Sequence, residues 1–164
     1  MVDAADPLPK PCKPPAIGRA RRIAGCLDVQ TGALISRERS RFHVREMANF
    51  FLLVEQHYPQ AERIYIALDN WPVHFHGSVL DTLRERHSRI TLLPLPTYAP
   101  WTNPIEKVWR LFNQDLFHMH PWSEDWQRLR QEVTRWLQAA SSASEDLLRY
   151  VGLASVTDQL CYGT

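Results

Sequence analysis

Cysteine is scarce in these 164 residues, and the three present, Cys12, Cys26 and Cys161, are far apart and outside any Cys-x-x-Cys pair. An odd, scattered set argues against a disulfide framework and against a structural zinc site, and it predicts plain thiols in a reducing compartment. Long apolar runs are missing as well. None approaches the ~18 to 20 residues that a membrane helix needs, and the N-terminus lacks the charged-then-apolar order of a signal peptide, so a soluble, cytoplasmic protein is expected. Net charge is nearly absent: 19 Lys and Arg stand against 18 Asp and Glu. No internal repeat is visible.

What is plentiful is core material. A 45% hydrophobic share with six Trp suits one domain of this length. The near-neutral total hides an asymmetry, because residues 1–45 hold nine Lys or Arg against four acids and the remainder holds ten against fourteen. The basic part is the series Arg19, Arg21, Arg22, Arg37, Arg39, Arg41 and Arg45, which could follow a phosphate backbone in a salt-dependent way. An ordinary solvated surface explains the same residues.

Five prolines in residues 1–18 remove amide donors and disfavour helix, so this stretch reads as an irregular arm, with a domain over 19–152 and a tail over 153–164. Arg22 to Val29 and Ala33 to Arg39 read as two strands joined at Thr31-Gly32. Val44, Met47, Ala48, Phe51, Val54 and Tyr58 recur at helical steps, ending before Pro59. Ile64 to Leu68 is a short apolar run expected to be a strand covered on both faces. A helix from about Phe75 to Arg86, with Val79, Leu80 and Leu83 inward, leads to a strand at Ile90 to Leu95, a parallel crossover. Beyond a proline-rich loop, Ile105, Val108, Trp109, Phe112 and Leu116 make one helical face, and Trp122, Trp126, Leu129, Val133, Trp136 and Leu137 another. The Trp residues read mainly as core. The expected fold is an α/β mixed sheet flanked by helices, with a helical C-terminal tail.

Asp69 directly follows the third strand, at the edge where open α/β sheets place their ligands. The rival reading is a polar turn in which Asp69 caps the next helix. Glu106 lies in Asn103-Pro104-Ile105-Glu106, where Asn is a candidate N-cap, Pro the first helical residue and Glu the third, the spacing of a capping box. Capping and metal binding are compatible, since a rigid cap aims the carboxylate. Hard Mg²⁺ or Mn²⁺ takes oxygen ligands, and a pair of such ions can activate one oxygen and stabilise the leaving one in phosphodiester chemistry. His74 would line the same edge, whereas His74-x-His76 with His118-x-His120 matches no common zinc module.

These residues resemble the catalytic core of DDE transposases of the mariner-like superfamily, specifically the bacterial insertion sequence six-thirty group. The resemblance runs from about Pro15 to Gly152. Gly25-Cys26-Leu27-Asp28 with Thr31-Gly32 is similar to the family's early hairpin, and Leu68-Asp69-Asn70 with His74 to its second catalytic motif. Leu95-Pro96, Tyr98, Pro100, Asn103-Pro104-Ile105-Glu106 and Trp109 are similar to its third. The resemblance implies a ribonuclease H-like fold in which two Asp and a Glu or Asp hold two Mg²⁺ (or Mn²⁺) ions, and an activity that cuts transposon ends and joins them to target DNA. It makes Asp69 and Glu106 the second and third acids and metal ligands, with Asn70, His74 and Asn103 shaping the site and the arginine series binding DNA in the nucleoid-associated cytoplasm.

One feature of the family is missing. Its first catalytic Asp lies on a strand well upstream of the segment that Pro15 to Asp28 resembles, and Asp3 and Asp6 sit in a poor strand too close to the hairpin. A catalytic-domain fragment lacking the first strand is therefore expected, with low or no activity by itself and a sheet edge open to self-association or to an upstream transposase fragment. A non-catalytic remnant that only binds DNA or oligomerises is the alternative, and a different ribonuclease H-like nuclease a third reading.

Overall fold

The computed structural model describes residues 21–96, 103–117 and 125–153. In chain order they form β1 (Arg22–Leu27), β2 (Leu34–Arg39), α1 (Val44–His57), β3 (Ile64–Leu68), α2 (Gly77–Glu85), β4 (Ile90–Pro94), α3 (Ile105–Phe117), α4 (Trp126–Ala140) and α5 (Glu145–Val151). The irregular arm, the tail from residue 154 onward, Trp122 and the His118-x-His120 pattern lie outside the described residues.

β1 and β2 pair antiparallel with Leu27 opposite Leu34, and β3 and β4 pair parallel with Ile64 opposite Ile90. In place of the single mixed sheet expected, the described strands make two separate two-stranded sheets. What unites them is α1. Its stripe of Met47, Ala48, Phe50, Phe51 and Val54 is buried against Ile35 of the hairpin and against Ile66 and Leu68 of β3, with Val79 and Leu83 of α2 completing the cluster. Strand alternation sends the other hairpin residues to the opposite side, where Leu34, Ile23 and Leu27 meet Val108, Phe112, Leu116, Leu137, Leu147 and Val151 of the three C-terminal helices.

That second layer covers the hairpin but not β3 and β4. Tyr65 and Leu93 remain 59% and 42% exposed. The expectation that β3 is covered on both faces is thereby corrected: residues 64, 66 and 68 face the core while Tyr65 and Ala67 face outward. Leu80, expected inward, is 37% exposed, because Val79 and Leu83 alone take the buried side of α2.

The hairpin turn is held by Asp28. Its carboxylate accepts from the amides of Gln30 at 2.8 Å and Thr31 at 3.2 Å and from the Tyr58 hydroxyl at 2.9 Å, tying the turn to the end of α1. Burial pushes the Asp28 carboxyl up, but the Gln30, Tyr58 and Thr31 donors outweigh it and the group lies below the usual carboxylate range. Glu55 behaves alike: burial raises it, and the Arg89 amide, the Ser88 hydroxyl and the Arg89 guanidinium bring it down. Arg89 also donates to the carbonyls of Tyr58, Pro59 and Ala61, locking the α1–β3 connection to the start of β4. Beside this turn the Cys26 thiol is pushed up to about 11, first by burial and then by the Asp28 charge, which makes it an inert thiol as expected.

Gly32 has φ +75°, and a Cβ there would lie 2.2 Å from the Ser144 carbonyl oxygen, whose residue donates its own amide to Thr31 O at 2.8 Å. Gly32→Ala thus meets both left-handed strain and backbone, and is expected to cost about 2 kcal/mol or more of stability in a denaturant titration. Since the folded Asp28 and Glu55 values are depressed, their contribution is present above about pH 4, the unfolded range, and is lost as pH falls through the folded values. Thermal melts of Asp28→Asn between about pH 5 and pH 2.5 should show a shallower fall in midpoint than the parent chain.

Candidate metal-binding edge and the α3 groove

The parallel pair ends with Leu68 and Pro94, and the chain beyond each is cross-tied. Leu95 N donates to Leu68 O at 2.8 Å, and Asn70 Nδ2 donates to Leu95 O at 2.8 Å. Asn70 thus joins the two segments that leave the carboxyl end of the sheet. Asp69 stands between them with its side chain 64% exposed.

His74 reaches back to Asp69 from the β3–α2 loop. Its Nδ1 lies 3.0 Å from Asp69 Oδ1 and 3.2 Å from Asp69 O. Both are acceptors, so the proton belongs on Nδ1. The ring is 17% exposed, edge-on to Trp71 at 5.2 Å and near Phe51 of the core at 6.3 Å. A packed imidazole therefore orients one carboxylate oxygen and leaves Oδ2 without a bond to any described residue. The helix-capping reading of Asp69 finds little support, because α2 is capped by His76, whose Nδ1 accepts from Ser78 N at 3.2 Å, and the Trp71 amide reaches Asp69 Oδ1 only at 3.4 Å.

Glu106 occupies the first turn of α3. Asn103 O accepts from Glu106 N at 3.1 Å, and Asn103 Oδ1 accepts from Ile105 N at 3.4 Å, so Asn103 takes the capping position. The reciprocal bond from the Glu106 side chain is not formed among the described residues, which leaves its carboxylate facing solvent. The position of α3 depends on Gly25. A Cβ there would lie 2.6 Å from the Trp109 ring, so only glycine lets the indole lie on β1, and Glu106 is fixed one turn before that contact. Lys107 Nζ donates to Val151 O at 2.8 Å and ties the other side of α3 to the end of α5.

Glu106 opens onto a groove of about 540 Å³ along α3, lined also by Trp109, Arg110, Asn113, Gln114 and Phe117. Asp69 is not among its lining residues, and among the described residues no group of three or more His, Cys, Asp or Glu side chains converges as a metal site. Arg110, Asn113 and Gln114 were not singled out from the sequence. Their signal was there, since they follow Glu106 at four, seven and eight residues on one helical stripe. The arginine series divides. Arg21 pairs with Glu38 at 3.2 Å, Arg39 with Glu46 at 3.1 Å, and Arg37 donates to Asn49 O, whereas Arg22, Arg41 and Arg45 form no ion pair among the described residues. Arg19 lies outside them.

Residues 13–130 match the DDE superfamily endonuclease family, and the chain belongs to it. Over 84 residues it is also 27% identical to a protein of Shigella sonnei described as "Insertion element IS630 uncharacterized 39 kDa protein", a match covering 51% of this chain and 24% of that one. The aligned stretch thus spans about a quarter of that relative's length. Both findings agree with the kinship read from the Asp69 and Glu106 motifs.

If His74 holds Asp69 for a ligand, its loss disorders the carboxylate without removing it. His74→Ala is expected to weaken Mn²⁺ binding, followed by calorimetry, by about 10- to 100-fold, while His74→Asn, which keeps a donor, loses less.

Proposed function

We propose that this chain forms part of the catalytic domain of a transposase that cuts transposon-end DNA and joins it to target DNA by metal-dependent phosphodiester hydrolysis and strand transfer. The observation that carries the reading is Asp69 at the carboxyl edge of a parallel strand pair, oriented by a buried-side imidazole, in a chain whose Glu106 carboxylate is left free by its own cap. A polar turn alone would not need His74 packed against Phe51 to fix one oxygen of an exposed acid. The donor set is hard oxygen, which suits Mg²⁺ or Mn²⁺.

In this reading Asp69 and Glu106 are the metal ligands, and the bound ions would lower the pKa of the attacking oxygen and stabilise the leaving one. His74 orients Asp69, Asn70 holds the two segments at the strand ends together, and Asn103 caps the helix that carries Glu106. Arg22, Arg41 and Arg45, with no ion pair among the described residues, hold DNA phosphates together with Arg19, and Arg21, Arg37 and Arg39 contribute after exchange of their present partners. The two sheets are read as parts of one ribonuclease H-like sheet, with the outer edges of β1 and β3 available for a further strand, whether from a second copy or from another transposase segment. No helix among the described residues is long and apolar enough to cross a membrane, in keeping with work on chromosomal DNA in the bacterial cytoplasm.

In this reading two acids alone bind metal weakly, and hydrolysis by the isolated chain is slow. The second reading is a remnant that binds DNA or associates without cutting. Plasmid nicking with Mn²⁺ separates them. Nicking that falls about a hundredfold or more in both Asp69→Asn and Glu106→Gln supports catalysis, and Gln keeps the helix start so that unfolding is not the cause. DNA binding with no cleavage in any divalent metal establishes the remnant.

A further inference from the structure

The outer edge of β2 carries main-chain groups without partners. Beside the hairpin turn Asp28 N donates to Ala33 O at 2.9 Å. Hydrogen-bonded pairs then recur at every second residue, Cys26 with Ile35 and Ala24 with Arg37, which turns the amides and carbonyls of Leu34, Ser36 and Glu38 away from β1. β2 ends its two-stranded sheet, so no other described strand meets these groups. Glu38 O accepts from Arg39 Nη1 at 2.9 Å, but the outward groups of Leu34 and Ser36 bond to no described residue, although Leu34 is 0% exposed. Main-chain groups so far from water are nearly always paired. Along the edge runs a groove of about 310 Å³, lined by Ser36 and Glu38, by His57 of α1 and by Thr134, Leu137 and Gln138 of α4. Helices α1 and α4 pack on opposite faces of the hairpin, so the groove admits one strand and not a second sheet with helices of its own.

We propose that the occupant is this chain's own residues 7–12, added as a third strand antiparallel to β2, with Lys10 opposite Glu38 and Cys12 opposite Ser36. The proline spacing selects this segment. Pro7, Pro9 and Pro11 recur at every second residue. In an extended strand all three rings then fall on one edge, which has no amide to donate, while Leu8, Lys10 and Cys12 turn their amides and carbonyls to the other. Such a strand pairs on one side only, the place proline takes in sheets. Pro14 has the opposite parity, would stand at Leu34 with no amide to give, and ends the pairing. Charge agrees. Glu38 is the one acid among the described residues lining the groove, and Lys10 is the one Lys or Arg in residues 1–12. The C-terminal residues 154–164 hold Asp158 with no Lys, Arg or proline, and would bring like charge to Glu38. The reach suffices too. Arg22 stands opposite Arg39 and Arg21 pairs with Glu38 at 3.2 Å, so the chain enters β1 at the Glu38 end of the edge. From Cys12 beside Ser36 the way back to Arg21 is about 17 Å, two strand spacings across and about four residues along, against about 30 Å that nine residue steps can span. The added strand closes the sheet with a proline edge, which cannot template pairing with another chain.

The test is disulfide trapping in the full chain. Directly opposite residues of a hydrogen-bonded antiparallel pair have Cα atoms about 5.5 Å apart, within disulfide range. Ser36→Cys treated with oxidised glutathione is therefore expected to link position 36 to Cys12 within one chain, read by digestion and mass spectrometry without reductant. Adding Lys10→Pro, which removes a pairing amide, is expected to lower the yield of that link about fivefold or more. A link from position 36 to Cys161, a link between two copies, or no link overturns the proposal, the first two by naming the C-terminal tail or a second copy as the occupant. A second measurement leaves Ser36 in place. Hydrogen exchange at the Ser36 and Glu38 amides is expected to be about fivefold slower in the parent chain than in Lys10→Pro, and equal rates overturn the pairing. Circular dichroism melts matching the parent chain exclude unfolding of the variants as the cause.

Discussion

Burial of one face of α1 holds this fold together. No backbone hydrogen bond joins the hairpin to the parallel pair among the described residues, so the two sheets keep a common orientation only because both lie on Met47, Phe50, Phe51 and Val54. The magnitudes explain why that suffices. A buried side chain of this size contributes about 1.5–3 kcal/mol, whereas a backbone hydrogen bond contributes about 1 kcal/mol net. Four large side chains therefore outweigh a short missing ladder. The ends of the same helix are fastened by polar contacts, Tyr58 to the hairpin turn through Asp28 and Glu55 to the start of β4 through Arg89.

This arrangement has a consequence for the candidate site. Asp69 belongs to the sheet under α1 and α2, and Glu106 belongs to a helix packed on the other side of the hairpin. Their relation thus passes through α1 and through the Gly25–Trp109 contact, without a shared strand pair. Their local support differs: His74 engages the Asp69 side chain itself, whereas Asn103 engages only the backbone amides at the start of α3 and fixes where the Glu106 Cα lies without holding its carboxylate.

Much of the fold was legible because its elements obey their periods. Met47, Phe51 and Val54 recur as a helix and lie buried on one, and the hairpin, the crossover helix and α3 fall within a few residues of their expected ends. The failures share one cause. Ile64 to Leu68 is apolar throughout, and that pattern reports tolerance of burial on both faces without reporting whether a second layer arrives; here the layer stops at the hairpin, and Tyr65 stays in solvent. Leu80 is exposed for a similar reason, since no layer covers the face of α2 opposite Val79 and Leu83. The polar stripe beyond Glu106 escaped attention because a hydrophilic helix face is the ordinary state of a surface helix, and only its position along a groove beside an acid gives it meaning.

The order of residues by itself determined which segments are strands and helices, the place of Asp69 after a strand and of Glu106 in the first turn of a helix, and the kinship those two motifs carry, because each depends on neighbours a few positions away. The tertiary structure alone decided that the described strands form two sheets, that His74 and not a helix end engages Asp69, that Gly25 sets where α3 lies, and that Arg110 shares a groove with Glu106. Those outcomes follow from packing between elements far apart in the chain, where side-chain volume and the presence or absence of a covering layer choose among arrangements that local periodicity leaves equal.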